Sequence, residues 1–354
     1  MKRTNLAKKL TAMVMTGAMV MSMGMTTFAV EPLIPITDDG ITVTKEINRG
    51  EDVLYPNTSF EFSVTPVGTP NVEITDTTKL AESTVYGGVQ GGAYFATDAE
   101  KITVTPDTTG ELTTKIKLDA SVFTKPGIFR YEVREISSNY DGMTYDATHY
   151  YLDLYVVNNG ESKKIEGVVA SKWDEEKEAY VMSTLTFNNT YATNDLKVTK
   201  IITGNQADMS ATFDFTITVK GATGEKYNTN YPVESGDPGE TVVLEAGNSS
   251  KIKLGNNQSI EIYGLSASDT FTIVEDKANE DGYTTTYELD GASKQASELV
   301  DVPEGTAKKD VKVTNTKEIT TPTGIAMTFA PYALMVAFAG VFAVMFLRKK
   351  REDF

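Results

Sequence analysis

The sequence predicts an all-β protein: two tandem Ig-like β-sandwich domains between two ends of different character. Three observations predict it. Apolar residues alternate with period two along most of the chain, turn signals cut it into short segments, and one set of segments recurs. Ile41–Thr44, Phe60–Val64, Lys101–Thr105, Tyr150–Val157, Ala211–Val219 and Gln258–Tyr263 all alternate. They are rich in Thr, Val, Ile, Tyr and Phe, the side chains that suit a pleated, half-buried surface. Asn158–Gly160, Ser235–Gly239, Gly255–Asn257 and Asp281–Gly282 supply the Asn, Asp, Gly and Pro that reverse a chain. Many short strands with regular turns, and no long amphipathic helix between the ends, point to sandwiches.

The repeat sets the domain limits. Ile41–Lys45 is echoed by Leu196–Lys200, Tyr131–Glu135 by Phe271–Glu275, and Leu185–Thr190 by Val311–Thr316. Lys, Glu and Asn recur in the same order, each closing an alternating strand. The chain therefore divides near Thr193–Asn194, into domains at 30–193 and 194–318. The first is the longer, and its extra length is expected in loops such as Asn71–Phe95, rich in Gly, Thr and Asp.

The ends read differently. Residues 1–29 run from a basic start (Lys2, Arg3, Lys8, Lys9), through a Met-rich apolar stretch, to Thr27-Phe28-Ala29. That order is a secretory signal, with cleavage expected after Ala29. The apolar stretch is short for a membrane span, which sets the signal above an uncleaved anchor helix. Residues 319–354 contain Thr321-Pro322-Thr323-Gly324, an apolar run from Ile325 to Leu347, and the basic cluster Arg348–Arg351. The run is long enough to cross a bilayer as a helix, with the basic cluster holding its end on the cytoplasmic side. A plain tail anchor would look the same without the Pro-Thr-Gly. Pro fixes an extended backbone and Gly allows close approach, so the peptide suits an enzyme groove. It resembles the sorting signals that sortases cut between Thr and Gly, here Thr323 and Gly324. It departs from the commonest five-residue form, since no residue separates Pro322 from Thr323.

Composition narrows the function. The chain holds 33 basic and 49 acidic residues, a net charge of −16. Without the eight basic and two acidic residues of the ends, 25 stand against 47, near −22. Nucleic acid demands a basic face, so it is not an expected partner. There is no cysteine, so the domains are not stapled by disulfides. The single histidine, His149, sits in a strand-like run and reads as structural. His-based triads and zinc sites are thus disfavoured, and no cofactor or metal is expected. Lys277–Glu288 partly imitates a calcium loop, but Lys stands where an acid is needed, and a turn is the better reading.

The repeated polar residues carry the chemistry. Lys45 lies two positions after Val43, hence on the same sheet face. The same holds for Val198 and Lys200, Val133 and Glu135, Ile273 and Glu275, Phe187 and Asn189, and Val313 and Asn315. All six polar side chains point where the apolar ones point. Left unpartnered in a core they would cost several kcal/mol. Three readings meet this. They hydrogen-bond to one another, or they stand at strand ends and reach water, or they react. Burial lowers the pKa of Lys and raises that of Glu. A neutral Lys amine can attack the Asn carboxamide while a protonated Glu polarises the carbonyl and moves protons as ammonia leaves. The product is a side-chain amide, formed once.

Lys, Glu and Asn in these positions resemble the intramolecular isopeptide domains of Gram-positive backbone pilins of the streptococcal type. Phe123–Glu135 is similar to that family's segment carrying the Glu, and Gly142–Asp153 to the segment after it. The resemblance implies Lys45–Asn189 and Lys200–Asn315 bonds, assisted by Glu135 and Glu275, with no turnover enzyme activity. Asn188 beside Asn189 leaves an ambiguity, and the spacing shared with Val313–Asn315 favours Asn189. The resemblance also implies a pilus fixed to the cell wall, with Thr323 joined by sortase to a lysine of the next subunit. Lys163, Lys164, Lys172 and Lys177 are candidate acceptors, and Lys177 is chosen as nearest the last strand. Implied partners are pilin-type and housekeeping sortases, further copies of the chain, minor pilins and peptidoglycan. A wall-anchored adhesin or stalk that is never polymerised is the competing reading.

Overall fold

Strands that bury every second side chain must pair their apolar faces, and here they do so as two pairs of sheets. The computed structural model describes residues 34–231, 242–294, 298–301, 308–319 and 332–345. The leader at 1–29, the turn Ser235–Gly239, and Thr323 with Gly324 lie outside the described residues. Residues 332–345, within the apolar run, are helical. Among the described residues no helix is long and apolar enough to cross a membrane.

The first pair of sheets packs Ile41, Val43, Phe60, Phe129, Val133, Leu152 and Phe187 into one apolar core. One sheet has five strands, ordered Ala93–Phe95, Leu112–Leu118, Ile41–Asn48, Leu185–Tyr191, Met143–Thr144. The facing sheet has eight, built around Gly127–Ile136 between Thr58–Pro66 and His149–Asn159. The second pair closes a separate core around Leu196, Val198, Phe215, Ile217, Ile273 and Val313. Its seven-stranded sheet centres on Asn194–Thr203, flanked by Ser259–Leu265 and Lys309–Thr316. Its four-stranded sheet is ordered Ser249–Gly255, Thr212–Lys220, Thr270–Glu275, Glu298–Asp301.

In each sandwich the first and last strands lie side by side and parallel. Ile41–Asn48 pairs with Leu185–Tyr191, setting Lys45 opposite Phe187 and Ile47 opposite Asn189. Asn194–Thr203 pairs with Lys309–Thr316, setting Lys200 opposite Val313 and Ile202 opposite Asn315. The register offset is the same in both. A parallel pair cannot be made by a hairpin. Here the rest of the domain is the crossover.

Asn71–Phe95 differs from the loop expected. It contains Glu73–Ile74, Val85–Gly87 and Ala93–Phe95, and Val85–Gly87 runs parallel beside Gly127–Ile136. Strands of two or three residues carry too little alternation to be read as strands. Tertiary contacts hold them instead. The buried Arg130 guanidinium bonds both oxygens of Asp153 at 2.7 and 2.6 Å, and reaches Asp76 Oδ1 at 2.7 Å and Thr78 Oγ1 at 3.2 Å. The calcium-like segment is a turn between strands, with Asn279, Asp281 and Gly282 at positive φ. Asn279 Oδ1 accepts from Thr285 N at 2.9 Å.

Candidate functional site: two buried Lys–Glu–Asn triads

The alternation of Ile41, Val43 and Lys45 leaves the lysine in the core, 2% exposed, while Thr42, Thr44 and Glu46 face outward. Leu185 and Phe187 bring Asn189 to the same face, and Tyr131 and Val133 bring Glu135 to it from the opposite sheet. Asn188 points out and is exposed. The three inward groups meet. Lys45 Nζ donates to Glu135 Oε2 at 3.1 Å, and Asn189 Nδ2 donates to Glu135 Oε1 at 2.9 Å. Lys45 Nζ also reaches Phe187 O at 3.4 Å, and the Phe60 ring lies 4.9 Å from it.

The second sandwich repeats the arrangement. Lys200, Glu275 and Asn315 are 0%, 2% and 1% exposed. Lys200 Nζ donates to Glu275 Oε2 at 2.7 Å and Asn315 Nδ2 to Glu275 Oε1 at 2.6 Å. Phe213 and Phe215 wall the amine, with centroids 4.3 and 5.6 Å away. Tyr287 OH accepts from Glu275 N at 3.0 Å. The sites therefore share one pattern: the lysine and the asparagine hold opposite oxygens of one carboxylate.

Burial governs the charges. It pulls the Lys45 amine below the ordinary lysine range, against the opposing pull of Glu135. It pushes the Glu135 carboxyl upward, against the Lys45 charge and the Asn189 hydrogen bond. Lys200 is lowered to about 8 by the same desolvation, with Glu275 opposing. Each shift brings the neutral amine closer, and in the first site the acid as well.

Sequence reasoning missed the groups around the triads. Asp146 N donates to Asn189 Oδ1 at 2.8 Å. The signal was present as Asp146-Ala147-Thr148, since Asp146 Oδ1 accepts from Thr148 N at 2.8 Å in an Asx turn. The aromatic walls and Tyr287 carried no signal beyond ordinary core alternation. His149 is exposed, 3.0 Å from Glu132 Oε1 and apart from both triads. Lys177 is exposed on the turn after Ser162–Asp174, its Nζ 3.2 Å from Asp174 Oδ2. Lys164 is exposed and pairs with Glu166 at 2.6 Å, while Lys163 and Lys172 are half-buried.

Comparison with known proteins bears on the family and the fold. Residues 41–192 match the Spy0128-like isopeptide containing domain, and residues 194–317 match a domain family of unknown function. A pilin of Streptococcus pyogenes serotype M1 is 28% identical over 356 residues, covering 97% of this chain and 99% of that protein. The structure of the S. pyogenes major pilin T3.2 superposes with a TM-score of 0.55 at 26% identity, covering 78% of this chain and 96% of that one. A second S. pyogenes major pilin structure gives a TM-score of 0.56 at 25% identity, over 78% and 98%. The chain is a relative of the streptococcal major pilins, and its first sandwich belongs to the Spy0128-like isopeptide containing domains.

Proposed function

We propose that this chain is the structural subunit of a covalent surface pilus, stabilised by one Lys–Asn isopeptide bond in each domain. The observation that carries the reading is the twofold occurrence of the carboxylate bridge. Glu135 and Glu275 each hold a lysine amine on one oxygen and an asparagine carboxamide on the other. Those are the two nitrogens that must exchange protons. The neutral amine attacks Asn Cγ, and its proton passes to the near carboxylate oxygen. The far oxygen delivers a proton to Nδ2, the C–N bond breaks, and ammonia departs. A Lys Nζ–Asn Cγ amide remains, and the carboxyl ends as it began. This is one turnover of general acid–base and nucleophilic chemistry, so the domains are substrates rather than enzymes.

The remaining parts of the reading follow from the ends. Residues 1–29 export the chain, and Thr323 forms an acyl-enzyme with a sortase as Gly324 leaves. An acceptor lysine of the next subunit, assigned here to Lys177, then takes the Thr323 carbonyl. The last subunit is transferred to peptidoglycan, which places the fibre on the cell wall. The exposure of Lys177 supports the assignment.

Intact mass of recombinant residues 30–323 tests the crosslinks. The expected mass is short by two ammonia molecules. Glu135→Ala and Glu275→Ala should each restore one of them. A full-length mass in the unaltered chain would refute the reading.

A further inference from the structure

The two triads differ at the asparagine oxygen. Asn189 Oδ1 accepts a hydrogen bond from Asp146 N at 2.8 Å. Asn315 Oδ1 is buried with no hydrogen-bond partner among the described residues. When an amine attacks a carboxamide, negative charge grows on that oxygen. A fixed N–H aimed at it stabilises the transition state, and such a donor is worth about 10²–10³ in rate.

The difference originates in strand pairing. In the first domain the outer neighbour of Leu185–Tyr191 is Met143–Thr144, paired only at Thr190 and Tyr191. The chain then leaves the ladder and turns past Asn189. Asp146 fixes that turn with its own carboxylate, which accepts from Thr148 N at 2.8 Å and from Asn188 N at 2.7 Å. The turn is thus tied to the exposed side of the last strand, and its N–H is left aimed inward. In the second domain Thr284–Leu289 pairs with Lys309–Thr316 in unbroken register, with Thr285 opposite Asn315. The ladder there continues past the asparagine, and among the described residues no turn delivers an N–H to it.

We propose that the Asp146 backbone N–H is an oxyanion donor for closure of the Lys45–Asn189 bond, that the Asp146 side chain positions it, and that the second site works without an equivalent. The two bonds of one subunit therefore close at different rates, the first domain ahead of the second. This rests on the isopeptide reading above. The reaction balances without further reagents: an amine and a carboxamide become a secondary amide and ammonia. The N–H is consumed in neither step.

Never-folded chain is the material for the test. Residues 30–323 are recovered from inclusion bodies in urea and diluted to start folding and closure together. Trp173, the single tryptophan, reports folding of the first domain. Acid-quenched samples are digested, and the two branched peptides are quantified by mass. The Lys45–Asn189 peptide should form at least about tenfold faster than the Lys200–Asn315 peptide. Asp146→Ala should slow the first by about tenfold or more, leaving the fluorescence phase and the second peptide unchanged. Asp146→Asn keeps an acceptor for Thr148 N–H but sets an NH2 against Asn188 N–H, and should recover only part of the lost rate. Equal closure rates in the unaltered chain would overturn the proposal even if Asp146→Ala failed to fold. An unslowed Asp146→Ala that folds would overturn it too. If neither branched peptide ever forms, the isopeptide reading itself falls, a result distinct from two peptides forming at equal rates.

Discussion

At the scale of single residues the central fact is a carboxylate shared by two nitrogens. The ion pair and the neutral amine–acid pair hold the same single proton and differ only in where it sits. Their ratio is therefore insensitive to pH as long as that proton is present. Lys200, lowered to about 8 by burial and held up by Glu275, marks where it is lost. Above that pH the amine is neutral, but no acid remains to release ammonia. Closure of Lys200–Asn315, followed by mass during refolding between about pH 6 and 10, should be flat near neutrality. It should then fall by about tenfold per unit above 8. A rate that instead rises through 8 would mean that Glu275 serves only as a base. Burial also distinguishes Asn189 from Asn188 by side-chain direction, since a one-residue shift along a strand changes the face.

At the scale of elements the bond would tie the first strand of a sandwich to the last. Their parallel pairing makes this possible, because it sets Lys and Asn two positions apart on one face of adjacent strands. Each bond would close a loop of over a hundred residues. By analogy with disulfides this removes unfolded-state entropy worth roughly 4–5 kcal/mol. Glu135→Ala should therefore lower the thermal stability of the first domain and leave the second nearly unchanged, as read by calorimetry. The excursion at 71–95 depends on another buried charge. Arg130 holds Asp153 and Asp76, whose carboxyl, raised by burial but lowered more by bonds from Thr78 and Arg130, sits at about 2. Removing one partner of a buried pair strands the other. Arg130→Ala should cost about 3–5 kcal/mol in urea unfolding followed by Trp173, measured in the Glu135→Ala background so that the chain can unfold fully.

At the scale of the whole molecule the two sandwiches meet through a polar joint. Asn57 Nδ2 donates to Thr223 O at 2.9 Å, Ser268 N to Asp141 Oδ2 at 2.8 Å, and Lys226 pairs with Asp107 at 2.6 Å. Tyr140 OH donates to Glu225, beside the buried Tyr227 and Asp269. In the fibre reading, tension entering at Lys177 and leaving near residue 319 would run along the last strand of the first sandwich and cross the second through its Lys200–Asn315 tie. Cell-wall extracts on a denaturing gel should then give a ladder of high-mass species. Lys177→Arg should collapse the ladder to monomer, while an unchanged ladder would move the acceptor role to another lysine. A single band from the unaltered chain would favour an unpolymerised stalk.

The sequence by itself determined which side chains go inward. Period-two alternation is local, so Lys45, Glu135 and Asn189, and their counterparts Lys200, Glu275 and Asn315, could be assigned to core faces from their spacing alone. The repeat then showed that these six formed two equivalent sets. Only the tertiary structure decided what joins them: parallel pairing of strands more than a hundred residues apart, and one carboxylate between two nitrogens. It also decided what lies around them. The short strands within 71–95 and the inward N–H of Asp146 arise from contacts with distant segments, and no local pattern encodes those contacts. The two triads look alike in sequence because their own strands are alike. They differ in structure because their neighbours pair differently, two residues in one domain and an unbroken six-residue ladder in the other.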